Sequence, residues 1–138
     1  MNSDQIKDYV KRLVEAYPDI KSIWLFGTRA NNSYRSDSDW DLFVFGNQRI
    51  LDSLKENKTF NNDQIDLMVV FNDIEFEKPW PDEKGVKHGT LKSWEWLEIS
   101  SRDATYKSVK YINEDEGYKE GMLDCKTLKA IKIWPEDL

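Results

Sequence analysis

Three short segments decide how this chain folds: LFGTRA at residues 25–30, SDWDLFV at residues 38–44 and QIDLMV at residues 64–69. Each contains a short apolar run, and such runs are typical of strands that are buried within a sheet. The second segment also carries Asp39 and Asp41, and the third carries Asp66. Because burying an unpaired carboxylate is costly, these acids within apolar strands require an explanation.

The sequence between these segments alternates helical and β patterns. Apolar residues recur at helical spacing in two stretches, and short apolar runs between them predict strands. The predicted elements of the first half are a helix, a strand, a polar loop with room for one helical turn, a strand, a helix and a strand, at residues 3–17, 21–26, 27–39, 40–45, 47–58 and 63–71.

The second half gives weaker signals. Residues 72–89 are rich in charges, Pro and Gly, so we expect a surface loop there. Residues 93–100 fit neither a helical nor a strand period. Strands are predicted at 105–112 and 127–134, and a turn at 113–117.

These elements predict one α/β (α+β) domain over residues 1–138. Its length of 138 residues suits a single core. A small mixed central sheet with flanking helices would hold the motif-bearing core at 3–71. A β-rich C-terminal extension would follow at 90–138.

The composition excludes several classes of function. A formal net charge of −6 argues against bulk binding of nucleic acid and of anionic membranes, since both need a cationic surface. No apolar run approaches the roughly 18–20 residues of a membrane span. A single cysteine, Cys125, allows neither an intrachain disulfide nor a Cys-based zinc site, so a reducing, cytoplasmic setting is expected.

The spacing of the acids predicts a metal site. In a strand, Asp39 and Asp41 point to the same face with their backbones roughly 7 Å apart, while Trp40 and Leu42 point to the other. If the strand that carries Asp66 is a neighbour, a third carboxylate joins them. Oxygen-only ligands favour a hard divalent cation, Mg²⁺ or Mn²⁺, over Zn²⁺. Three carboxylates can hold two such ions and support phosphoryl transfer.

The first segment supplies the complementary half of such a site. Gly27 lets the backbone approach a ligand closely, and a helix starting there directs free N–H groups at an anion. Thr28 adds a hydroxyl donor. Two interpretations of Arg29 remain open, because it can bind phosphate or brace the loop. We therefore expect a triphosphate at Gly27 and Thr28.

This arrangement resembles the DNA polymerase β-like nucleotidyltransferase superfamily. The shared pattern is an apolar strand, Gly-Thr/Ser-Arg-Ala, about ten residues, Ser-Asp-x-Asp-Leu and a later strand Asp. It covers roughly residues 3–71 and is most similar to the small stand-alone, or minimal, nucleotidyltransferases. The chain departs from the family at Asn31 and Asn32, where Arg-Gly often follows.

The resemblance implies a Mg²⁺-dependent enzyme that transfers a nucleoside monophosphate from an NTP to a hydroxyl and releases pyrophosphate. In the family the three acids bind two divalent ions, the third acid helps to activate the attacking hydroxyl, and the glycine turn contacts the phosphates. Carried over, the catalytic and metal-binding residues are Asp39, Asp41 and Asp66, and the nucleotide-binding residues are Gly27, Thr28 and Arg29.

The acceptor is not encoded in a readable motif. Family members act on partner proteins, including antitoxins that modify a toxin, and on small molecules such as aminoglycosides. The resemblance thus implies a protein or small-molecule acceptor, and a partner protein or a homodimer as the assembly. The alternative is a catalytically weak nucleotide-binding or partner-binding module, such as an antitoxin-like partner protein.

Overall fold

The computed structural model describes residues 1–32, 34, 38–81, 88–108 and 126–135. The helices and strands, in chain order, are α1 Ser3–Ala16, β1 Ser22–Phe26, α2 Gly27–Ala30, β2 Trp40–Phe45, α3 Gln48–Glu56, a 3₁₀ helix at Lys58–Phe60, β3 Ile65–Phe71, β4 Glu75–Glu77, β5 His88–Thr90, β6 Leu97–Glu98, β7 Asp103–Ser108 and β8 Lys126–Trp134. The predicted mixed α/β class is confirmed. The predicted turn at 113–117 and Cys125 lie outside the described residues.

The eight strands form one sheet in the order β5-β4-β3-β2-β1-β8-β7-β6. Strands β2 and β3 pair in parallel, because the chain crosses from one to the other through α3. The other pairs are antiparallel. The C-terminal strand β8 pairs with β1, so the β-rich extension continues the central sheet instead of forming a separate layer.

Both longer helices pack on one face of the sheet. The start of α1 is stabilised by a capping box in which Asn2 and Gln5 exchange side-chain-to-backbone hydrogen bonds. Its apolar stripe packs with that of α3 against alternate residues of β1, β2 and β3. Leu42 and Leu67 point into this core, so their sequence neighbours point to the opposite face.

The opposite face carries an aromatic core. Phe43 is fully buried there, and Phe26 stacks on it with ring centroids 4.3 Å apart. Trp94 and Trp96, from the turn before β6, cover these rings edge-on. The second half of the chain therefore forms the cover of the sheet face that the helices leave open.

The prediction of a surface loop over residues 72–89 was wrong in two places. Residues 75–77 form β4, which pairs with β3, and residues 88–90 form β5, which pairs with β4. The strand forms because Phe76 is 1% exposed and packs into the aromatic core beside Phe43. One buried aromatic among charges, Pro and Gly is too short a signal for a strand period. No helix in the described part of the chain is long and apolar enough to span a membrane.

Candidate active site

The parallel register of β2 and β3 places Asp41 directly beside Asp66. The backbone N–H of Trp40 donates to the carbonyl of Gln64 at 2.8 Å and so aligns the two strands at their first residues. Since Leu42 is in the helix-side core, both acids lie on the opposite, aromatic face. A one-residue slip in pairing would separate the two carboxylates.

This crowding changes the ionisation of Asp41. Burial is the largest cause, and together with the neighbouring charges of Asp66 and Asp39 it raises the pKa of Asp41 to about 7, although Lys78 acts to lower it. Two carboxylates this close disfavour each other's ionisation, so the buried Asp41 keeps its proton to a higher pH than an exposed carboxyl group does.

Asp39 precedes β2 and is exposed. Its charge acts on Asp41, and its side chain borders the same cavity as Asp66. Within the described residues, no three acidic, His or Cys side chains converge closely enough to hold a metal ion in this arrangement. The structure therefore brings Asp41 and Asp66 into contact and places Asp39 at their exposed edge.

The donor chemistry of the three acids fits a hard divalent cation. Their oxygens are the ligands that Mg²⁺ and Mn²⁺ prefer. Mutual repulsion between the Asp41 and Asp66 carboxylates helps to raise the pKa of Asp41, and a cation bound between the two acids would offset that repulsion.

Gly27 lies against this pair and tolerates no side chain. Its φ of +73° is in the left-handed region, and a Cβ added there would lie 2.0 Å from Asp41 Oδ2. The glycine thus allows the turn between β1 and α2 to touch the acid. Its backbone N–H donates to the hydroxyl oxygen of Tyr106 at 2.8 Å. Thr28 follows at an exposed position at the start of α2.

Arg29 contacts the loop between α2 and β2. Its Nε donates to the carbonyl of Ser38 at 3.1 Å, and its guanidinium lies 4.2 Å from the ring centroid of Trp40 and 4.8 Å from that of Tyr34. These contacts are those of a brace, the second of the two interpretations that the sequence left open. They connect the glycine turn to the first acid, since Ser38 precedes Asp39.

The sequence pattern missed three residues of the site. Lys78 is 4% exposed, and its Nζ lies 3.0 Å from Asp66 Oδ1. The sequence did not indicate Lys78 as a site residue, because residues 72–89 are predicted to form a surface loop. The role of Tyr106 was missed because its partner Gly27 is distant in sequence. Asn31 was noted only as a departure from the family pattern, because its partner Lys129 is also distant. No local pattern marked Lys78, because one buried aromatic residue, Phe76, is too short a signal for a strand period.

Asn31 ties the glycine turn to the C-terminal strand. Its Nδ2 donates to the carbonyl of Gly27 at 2.8 Å and to that of Lys129 at 3.0 Å, and its Oδ1 accepts from the N–H of Lys129 at 2.8 Å. Burial raises the pKa of Tyr106, the other support of the turn, to about 12, so its hydroxyl stays protonated at physiological pH. Strands β7 and β8 therefore hold the turn that faces Asp41.

Two cavities lie near these residues. One of about 430 Å³ begins at Asp39 and Asp66 and extends to Lys58, Asn61 and Trp80. A larger one of about 730 Å³ lies between α1 and the end of β8 and contains none of the three acids. A reaction at the carboxylates needs a cavity that they line, so the smaller cavity is the candidate substrate site.

A family model agrees with the sequence pattern. Residues 8–67 match the family model described as polymerase beta, nucleotidyltransferase. Among solved structures, the chain is similar to that of a candidate nucleotidyltransferase from Sulfolobus solfataricus, with 21% sequence identity and a TM-score of 0.42. This likeness covers 49% of this chain and 64% of the other chain. No curated protein matches the chain.

Proposed function

We propose that this chain, whose residues 8–67 match the polymerase beta, nucleotidyltransferase family model, transfers a nucleoside monophosphate from an NTP to a hydroxyl group. The acceptor oxygen forms a bond to the α-phosphorus, the bond to the pyrophosphate oxygen breaks, and the hydroxyl proton is released. The observation that carries the proposal is the in-register pair Asp41 and Asp66 against the side-chain-free surface of Gly27.

Each part of the site has a role in this reaction. Asp39, Asp41 and Asp66 are the proposed ligands of two Mg²⁺ ions, for which Mn²⁺ can substitute. When bound, such ions stabilise the charge that develops on the attacking and leaving oxygens. The turn at Gly27 and Thr28 receives the phosphates through N–H and hydroxyl donors. Asp66, at the mouth of the 430 Å³ cavity, assists the removal of the acceptor proton.

The same cavity is the proposed acceptor site. It borders Asp39 and Asp66, whereas Gly27 and Thr28 do not line it. The nucleotide and the acceptor would therefore approach the carboxylates from different sides. The volume of about 430 Å³ is within the range of small-molecule sites and also admits one protein side chain. Trp80 gives it a rigid wall, because its indole N–H donates to the carbonyl of Leu54 at 2.6 Å.

One observation favours the alternative of a nucleotide-binding module with little turnover. The N–H of Gly27, an expected phosphate donor, already donates to the Tyr106 hydroxyl. A phosphate would have to displace that hydroxyl or bind through the neighbouring donors. The two functions differ in whether pyrophosphate is released.

The test is incubation of the protein with each of four α-³²P-labelled NTPs, Mg²⁺ and cell extract. We expect release of pyrophosphate and transfer of label to an acceptor in the extract. Asp39→Asn should reduce the transfer at least a hundredfold, and it should fold normally because Asp39 is exposed. Asp19→Asn, at an exposed position away from the site, is the matched control. NTP binding without pyrophosphate release would support the binding module and refute the transferase.

A further inference from the structure

Lys78 is the charged side chain that the fold buries most deeply within the described residues. It is 4% exposed, and it follows β4 at the edge of the 430 Å³ cavity. Its neighbour Pro79 is also buried, and Phe76, two residues earlier, packs into the aromatic core. An ammonium group held this far from water needs a nearby anion, because its desolvation is otherwise uncompensated.

That anion is the carboxylate of Asp66. The distance from Lys78 Nζ to Asp66 Oδ1 is 3.0 Å, and the Asp66 side chain is 30% exposed. Asp66 is also the register partner of Asp41 on the neighbouring strand. It therefore lies between a cation that follows β4 and a carboxyl group on β2. Lys55, which lines the same cavity, pairs instead with Glu77.

We propose that Lys78 is a positioning residue that sets the orientation of Asp66 for nucleotidyl transfer. The inference rests on the proposed function. By binding one oxygen of Asp66, the ammonium limits rotation of the carboxylate and directs it toward Asp41 and the cavity. The same positive charge repels any divalent cation at the carboxylates. Lys78 thus lowers the affinity of the site for the cation and, in return, fixes the orientation of Asp66.

Lys78→Met keeps the length and the apolar stem of the side chain and removes its charge. We therefore expect cation affinity to rise and turnover to fall. Divalent cations should bind at least tenfold more tightly, because the repulsion between a +1 and a +2 charge about 6 Å apart costs roughly tenfold in affinity even in water and more at a buried site. Turnover should fall at least tenfold, because Asp66 is free to rotate. Loss of the fixed orientation of Asp66 also weakens cation binding. This effect is smaller, because the conformational entropy of one short side chain changes the cation affinity by less than about tenfold.

A merely structural lysine would behave differently. Its loss would lower the unfolding temperature and reduce cation affinity and turnover together. Lys78→Arg keeps the charge and can reach the same carboxylate, so it should restore the wild-type cation affinity and a large part of the turnover. Lys107→Met is the matched control, because Lys107 pairs with Glu95 on another part of the sheet.

The experiment measures Mn²⁺ binding to the full chain by electron paramagnetic resonance at pH 8.5, and pyrophosphate release from ATP for the same proteins. Tighter Mn²⁺ binding with slower release in Lys78→Met, both reversed in Lys78→Arg, supports the inference. Unchanged or weaker Mn²⁺ binding in Lys78→Met, with normal binding by the wild type, overturns it and leaves the proposed function intact. If the wild type binds no Mn²⁺, the proposed function fails and the inference fails with it.

Discussion

Ionisation of Asp41 should destabilise the metal-free folded protein as the pH rises from about 4 to about 7. The pKa of Asp41 is raised from 3.8 to about 7 in the folded state, so between these values the folded protein binds a proton that the unfolded chain has released. Stability falls with pH wherever the folded state binds more protons. At 1.36 kcal/mol per pH unit, the loss approaches roughly 4 kcal/mol above pH 7.

The substitution Asp41→Asn removes this loss. The amide has nearly the same shape, stays neutral at every pH and can donate a hydrogen bond to Asp66. Relative to the wild type, the variant should gain roughly 3–4 kcal/mol of unfolding free energy between pH 4 and pH 8.5, most of it above pH 5. Urea unfolding in EDTA, followed by tryptophan fluorescence, measures the difference, since the chain has six Trp.

Two controls make the result specific to this carboxyl group. Asp19→Asn alters an exposed acid and should follow the wild type at both pH values. Added Mg²⁺ should narrow the gap at pH 8.5, because a cation that binds only the folded wild type stabilises it. A difference between Asp41→Asn and the wild type that stays constant from pH 4 to pH 8.5 would refute the reasoning, as would a variant that is less stable at pH 8.5.

Three further substitutions test the support of the glycine turn by unfolding experiments. Gly27→Ala should cost about 2–4 kcal/mol from its left-handed backbone and the contact with Asp41, whereas Gly46→Ala, whose Cβ meets only the flexible end of Ile50, should cost much less. Equal losses would contradict this. Asn31→Ala removes three hydrogen bonds and should cost about 2–3 kcal/mol; an unchanged midpoint would show that they contribute nothing. Tyr106→Phe should cost about 1 kcal/mol and shift the amide resonance of Gly27, and an unshifted resonance would argue against the bond.

The strands of the first half could be predicted because their burial is periodic and local. The strand predicted at 40–45 coincides with β2, and the helix at 3–17 differs from α1 by one residue. The strands β4 and β5 could not be predicted, since their burial rests on Phe76 and on pairing with β3. Local composition there indicates turns, and the tertiary context overrides it.

The candidate site divides in the same way. The sequence by itself determined which acids lie on one face of a strand and that a glycine turn precedes them, because alternation and turn chemistry are properties of adjacent residues. Only the tertiary structure decided that Asp41 lies beside Asp66, which helps to raise the pKa of Asp41, and that Lys78 is buried against Asp66. It also decided that Tyr106, 79 positions away, accepts from Gly27. The ionisation and orientation of a side chain depend on the groups within a few ångströms of it. Those groups come from segments that are distant in sequence and share no local pattern.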